Sequence, residues 1–74
     1  MQSEGQVLRS LAERIKALRA EKDWSQEVLA ERAHLHRTYI AGIEGGNRNP
    51  SVRSLIKIAN AFRVPVADLL SERR

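Results

Sequence analysis

The chain has no cysteine among its 74 residues. No disulfide or thiolate metal site can therefore add stability. At this length a single core is marginal, because too little surface is buried relative to chain entropy. Oligomerisation is the remaining common way to add buried area. The lack of cysteine fits a reducing cytoplasm, and fits an unstapled exported domain as well. Long apolar runs and a signal-peptide pattern are also missing, so the expectation is a soluble, cytoplasmic protein with no membrane partner. There is no β signal, no internal repeat and no linker, which points to one all-α domain spanning 1–74. A Ser/His/Asp set, a Gly-rich phosphate loop and a carboxylate pair in a plausible cleft are likewise lacking, so an enzyme is not expected. No motif asks for a cofactor or a small-molecule ligand.

What the chain does have is positive charge. Thirteen Lys and Arg against nine Asp and Glu leave a formal net charge of +4, with a pI near 10.4. Such an excess favours a polyanionic partner, since bound Lys and Arg release counterions from nucleic acid. A solvated surface would carry the same charge, so the decision rests on patterning.

The patterning centres on residues 25–44, SQEVLAERAHLHRTYIAGIE. Ser25 stands where an N-cap belongs, with its hydroxyl placed to accept from a backbone N–H one turn later. Val28, Leu29 and Ala33 share one face at helical spacing. Ala33, His34 and Leu35 form the turn, with Leu35 as an apolar plug. A second pattern begins at His36, in which Tyr39, Ile40 and Ile43 make one buried stripe. Arg37, Thr38, Ala41 and Gly42 face away from it. A helix packed by one face on a partner helix can offer the other face to a major groove.

The flanking segments complete a five-helix reading. Val7, Leu8, Leu11, Ile15 and Leu18 place a first helix at roughly Gln6 to Lys22, after a frayed Met1 to Gly5. Asp23 and Trp24 connect it onward, with the single Trp expected to cover the joint between the first two helices. Gly45 and Gly46 read as a left-handed C-terminal cap, and Asn49-Pro50 as a turn with Ser51 as the next N-cap. Val52, Leu55, Ile56, Ala59 and Phe62 form the fourth stripe, with Ile58 slightly off its centre. Pro65 opens a short last helix, about 65–71, whose apolar members are Val66, Leu69 and Leu70. Ser71 to Arg74 is a polar tail.

The pieces Ser25-Gln26, Leu29-Ala30, Leu35, Tyr39-Ile40, Ile43-Glu44-Gly45 and Asn49-Pro50-Ser51 together resemble the lambda-repressor and Cro type of helix-turn-helix domain, over about Leu11 to Leu70. The short chain looks most like the controller proteins of restriction–modification systems. The resemblance implies a compact five-helix, homodimeric DNA-binding domain, and it implies roles for particular residues. The start of the second helix enters the major groove. Arg37 is the leading base reader, because its fork can donate to O6 and N7 of guanine together; a phosphate contact is the alternative. Thr38 reads a base edge or lays its methyl on thymine. Gln26, with Ser25 and the helix N-terminus beside it, anchors a phosphate. The Tyr39 ring packs while its hydroxyl reaches a phosphate. Asn47 and Arg48 approach the backbone and the minor groove; Asn49 is assigned to structure, and Ser51 joins the DNA-facing set. Gly42 departs from the longer polar residue common there, which removes one base contact and lets DNA approach closely. His34 replaces a turn glycine, and His36 replaces the usual Ser or Thr cap, either capping weakly or touching a phosphate. A two-histidine metal site is not expected, since no suitably spaced acid completes it. Glu44 is expected to pair, buried, with Arg19.

One reading helix covers only a few base pairs, so a symmetric dimer on a palindromic operator is expected, with half-sites about 34 Å apart. Phe62, Val66, Leu69 and Leu70 are the interface candidates, with Phe62 and Leu69 alternatively serving the core. Controllers of this kind activate their own and the endonuclease gene when scarce and repress when abundant. An exposed acidic patch such as Glu27 or Glu31 is a candidate contact for RNA polymerase. A phage-type repressor, or the antitoxin of a toxin–antitoxin pair, is the alternative.

Overall fold

The computed structural model describes residues 1–71, which form five helices: α1 (Glu4–Lys22), α2 (Gln26–Ala33), α3 (Arg37–Glu44), α4 (Val52–Phe62) and α5 (Val66–Leu70). No strand occurs among the described residues. Of the polar tail expected at 71–74, only Ser71 lies within them.

Four of the five helices, α1 to α4, are started by a side-chain cap. The Ser3 hydroxyl accepts from the Gln6 N–H at 3.1 Å while the Gln6 side chain accepts from the Ser3 N–H at 2.8 Å. This reciprocal capping box starts α1 at Glu4 rather than Gln6, and takes in residues expected to fray. Ser25 and Ser51 cap α2 and α4 as expected, each accepting at 3.1 Å, from the N–H groups of Val28 and Ser54.

Three helices end on a left-handed residue other than glycine. Asp23, His34 and Arg63 are left-handed, with φ of 61°, 58° and 61°. In each case the following N–H reaches back to the carbonyl five residues earlier: Trp24 to Arg19 at 3.0 Å, Leu35 to Ala30 at 2.9 Å and Val64 to Ala59 at 3.0 Å. The residue after each turn is apolar and packs against the core. That contact holds the chain in a conformation that otherwise favours glycine. At the end of α3 it is Gly46, φ 75°, and not Gly45, φ −84°, that takes the left-handed position.

α1 lies against α3 and α5, α2 against α3 and α4, and α4 against α5. Leu11, Ile15, Leu29, Ile40, Ile43, Ile58 and Leu69 are almost wholly sealed from solvent. Two placements differ from the periodicity reading. Ile58 sits at the middle of the buried face of α4, while Val52 and Ile56 point outward at 71% and 44% exposure. Apolar residues occur around most of α4, so either phase fits its sequence; packing on α2 and α5 selects Leu55, Ile58, Ala59 and Phe62. Trp24 covers more than a joint between two helices. It stacks on Phe62 of α4, ring centroids 5.4 Å apart and 14° from parallel, with the Arg32 guanidinium 4.6 Å from its own centroid.

Candidate nucleic-acid interface

α3 is only eight residues long, too short to persist alone in water. Its inner side is locked by Ile40 and Ile43, both sealed in the core. Its outer side presents Arg37 and Thr38, both exposed, then the half-buried Ala41 and Gly42. His36 is the N-cap. Its Nδ1 accepts from the Thr38 N–H at 3.2 Å and lies 2.8 Å from the Thr38 hydroxyl.

Beneath the outer face the helix is clamped by a buried polar cluster. Arg19 of α1 grips Glu44 at the end of α3 through two bonds, Nε to Oε2 at 2.7 Å and Nη2 to Oε1 at 2.8 Å. The third nitrogen of the guanidinium donates to the Trp24 carbonyl at 2.8 Å. The Gln26 amide nitrogen donates to Glu44 Oε1 at 2.9 Å. Burial by itself would push the Glu44 carboxyl up. The hydrogen bonds from Arg19 and Gln26, with the charges of Arg19 and Lys16, more than reverse this and hold it below the ordinary glutamate range. Arg19 is in turn raised, chiefly by its bond to Glu44. The pair implied by resemblance is therefore present, and Gln26 belongs to it. An amide NH2 has two hydrogens, so one is committed to Glu44 and the other is left to donate outward. Arg19, Ser25, Gln26, Glu27 and Arg37 line a shallow open depression. There the positive end of α2 faces the first side chain of α3, an arrangement suited to an anion.

The loop after α3 is also tied down. Asn47 donates its N–H to the Gly42 carbonyl at 2.9 Å. Arg48 lays its guanidinium 4.7 Å from the centroid of the Tyr39 ring. The Tyr39 hydroxyl, expected to seek a phosphate, accepts from the Ser51 N–H at 3.3 Å. Burial raises this phenol, but hydrogen bonds from Ser54 and Ser51 and the charge of Arg48 leave it below the ordinary tyrosine value. Asn49 donates to Glu4 at 3.2 Å, which joins the loop to the start of α1 and accords with a structural role. Sequence reasoning missed three of these links: Gln26 to Glu44, Asn49 to Glu4, and Arg48 to Tyr39. They join positions far apart in the chain or outside any helical period, and no spacing signal marks them.

Comparison with known proteins agrees with this geometry. The helix-turn-helix family model matches residues 15–69. The chain belongs to the helix-turn-helix family. This helix-turn-helix chain is 41% identical over 63 residues to the control protein C.SmaI of Serratia marcescens, covering 85% of this chain and 75% of that one. It is 40% identical over 63 residues to the immunity repressor of Bacillus phage phi105, covering 85% of this chain but only 44% of the repressor. Thus it spans most of a control protein and less than half of the phage protein. The controller C.AhdI from Aeromonas hydrophila superposes with a TM-score of 0.81 at 37% identity, over 84% of this chain and 94% of that one. C.Esp1396I, solved bound to a 19 base pair DNA duplex, superposes with a TM-score of 0.77 at 38% identity, over 85% of this chain and 84% of that one. This helix-turn-helix protein is homologous to restriction–modification controllers, and its family consists of transcription regulators rather than enzymes. No helix among the described residues is long and apolar enough to cross a membrane.

Proposed function

We propose that this protein is the controller of a restriction–modification system. In this reading it acts in the cytoplasm as a dimer, sets α3 of each protomer into the major groove of a palindromic operator, and activates or represses according to how many sites are filled. The observation that carries the reading is the outer face of α3. Arg37 and Thr38 stand exposed there on a helix whose inner face and last residue are fully fastened. Arg37 reads guanine, Thr38 a neighbouring base edge. Ser25, Gln26 and the start of α2 hold a phosphate in the depression beside Arg37, and Asn47, Arg48 and Ser51 approach the backbone from the other end. His36 serves chiefly as the cap of α3.

Dimerisation falls to α5 and what adjoins it. Leu69 and Phe62 have 0% and 2% exposure in the single chain, so they hold up the core and offer no surface to a partner. Val66 is half-buried and Leu70 is 41% exposed; these two remain as interface candidates, and the outward Val52 and Ile56 add apolar surface the periodicity reading had turned inward. Glu27 and Glu31 are exposed on α2 and are the proposed polymerase contacts.

The test is selection of bound fragments from random-sequence DNA, then titration of the selected fragment with mass read-out. The controller reading expects a palindrome that fills with one dimer and then a second in tandem. A lone palindrome filled once favours a simple repressor, the reading that the likeness to the phage protein supports. Absence of any enriched sequence at moderate salt overturns sequence-specific DNA binding.

A further inference from the structure

Glycine within a short helix is a poor choice on helical grounds, and Gly42, in the last turn of α3, is not in a left-handed conformation that would require it. The reason lies above it. A Cβ at position 42 would stand 3.3 Å from both Cβ and Nε of Arg48, and 3.8 Å from its Cδ. The Arg48 side chain thus runs over α3 through the space a side chain at 42 would fill. It is held on both sides of that crossing. Behind it, the Asn47 N–H is bonded to the carbonyl of Gly42 itself, which fixes the backbone next to Arg48. Ahead of it, the guanidinium rests on the Tyr39 ring, one turn before Gly42 on the same helix. The Arg48 Cβ, tied to a fastened backbone, has little freedom to retreat.

We infer that Gly42 is a positioning residue for Arg48: by lacking a side chain it lets the loop arginine lie across the outer face of α3, against Tyr39, where residue 42 would otherwise project and where its cation meets the DNA backbone. This inference rests on α3 being the DNA-reading helix. Position 42 follows Thr38 by one turn on the outer face, so a cation placed there lies beside the base-reading pair Arg37 and Thr38 and can grip the adjoining phosphate. An arginine already seated loses less side-chain freedom on binding than one waving in solvent.

The experiment is a double-mutant cycle on the selected DNA fragment with the wild-type chain, Gly42→Ala, Arg48→Ala and the double variant. Gly42→Ala is expected to keep or raise helicity, since alanine is the better helix former, yet to weaken binding roughly threefold to tenfold, the range for one side chain losing its preset position. Arg48→Ala is expected to weaken it at least as much, and the double variant no more than Arg48→Ala alone, because the two act through one contact. Losses that multiply would mean that DNA itself approaches Gly42, and unchanged affinity in Gly42→Ala would mean that the glycine positions nothing; either result overturns the inference. A second readout needs no DNA. Tyr39 is the only tyrosine, so phenolate absorbance follows it alone. Burial raises its titration, the Ser54 and Ser51 bonds lower it, and the charge of Arg48 lowers it further. Arg48→Ala should move the midpoint up, and Gly42→Ala should move it in the same direction. If Arg48→Ala moves the midpoint and Gly42→Ala does not, Arg48 is still in place and the inference is overturned. If the wild-type chain selects no DNA sequence, the regulatory reading fails by itself, while the tyrosine titration still decides whether Gly42 seats Arg48.

Discussion

Individual side chains divide into those that hold α3 and those that face outward from it, and substitutions should separate the two. Glu44 holds. Its side chain is 4% exposed and that of Arg19 19%, so Glu44→Gln leaves a guanidinium facing an amide in a largely buried site. Breaking such a pair costs about 3 kcal/mol, measurable as a lower urea midpoint. The sign with pH follows from the depressed carboxyl. The unfolded chain binds the proton more readily than the folded one, so the pair's contribution is complete above the ordinary glutamate range and is lost as pH falls through the depressed value. The wild-type chain should therefore shed stability on acidification more steeply than Glu44→Gln; parallel acid limbs would disprove the linkage. Arg37 and Arg48 face outward. Arg37→Ala should relax selectivity at one base pair by roughly 1–3 kcal/mol, whereas Arg48→Ala should weaken cognate and random DNA alike and flatten the salt dependence. Competition binding with point-substituted operators reads both, and equal effects on every sequence would cancel the role given to Arg37. The Arg19–Glu44 pair was legible through resemblance to a family. Gln26 as its third member was not, because a buried carboxylate accepts from whatever donor the packing brings and spacing does not name that donor.

The helices show where local pattern suffices and where it does not. Ser25 and Ser51 announce their helices because a capping hydroxyl acts within one turn. Ser3 does the same for α1, and its capping box with Gln6 extends that helix into a stretch whose polarity alone suggests fraying. The phase of α4 is different. Val52, Ile56 and Ile58 are all apolar, and only contact with neighbouring helices decides which of them is buried. The same holds for α5, where four apolar or small residues cannot all face inward. Leu69 enters the core, Asp68 is held by Arg14 through its carbonyl at 3.2 Å and its carboxylate at 3.8 Å, and Leu70 is turned outward. Leu70→Glu should thus leave helicity nearly unchanged while sedimentation shifts from dimer to monomer. Leu69→Ala should instead cost about 2–5 kcal/mol of folding stability, as for other core leucines. An unaltered mass in Leu70→Glu would place the dimer interface elsewhere, with the outward Val52 and Ile56 of α4 next to be tested.

The described residues share one core drawn from all five helices, and a chain of 74 residues leaves that core little margin. If two copies share their exposed apolar surface, folding and association are linked. The midpoint of thermal unfolding should then rise with protein concentration; a midpoint independent of concentration would argue for a monomer. Composition and periodicity alone were enough to determine an all-α chain with two short helices joined by a tight turn within 25–44, because caps, turns and apolar stripes are written within a few residues of where they act. Only the tertiary structure decided which face of α4 is buried, that Phe62 and Leu69 belong to the core, that Gln26 completes the Arg19–Glu44 cluster, and that Arg48 lies across Gly42. Each of these depends on what another helix or loop brings within a few ångströms, and residues distant in sequence leave no periodic trace of that meeting.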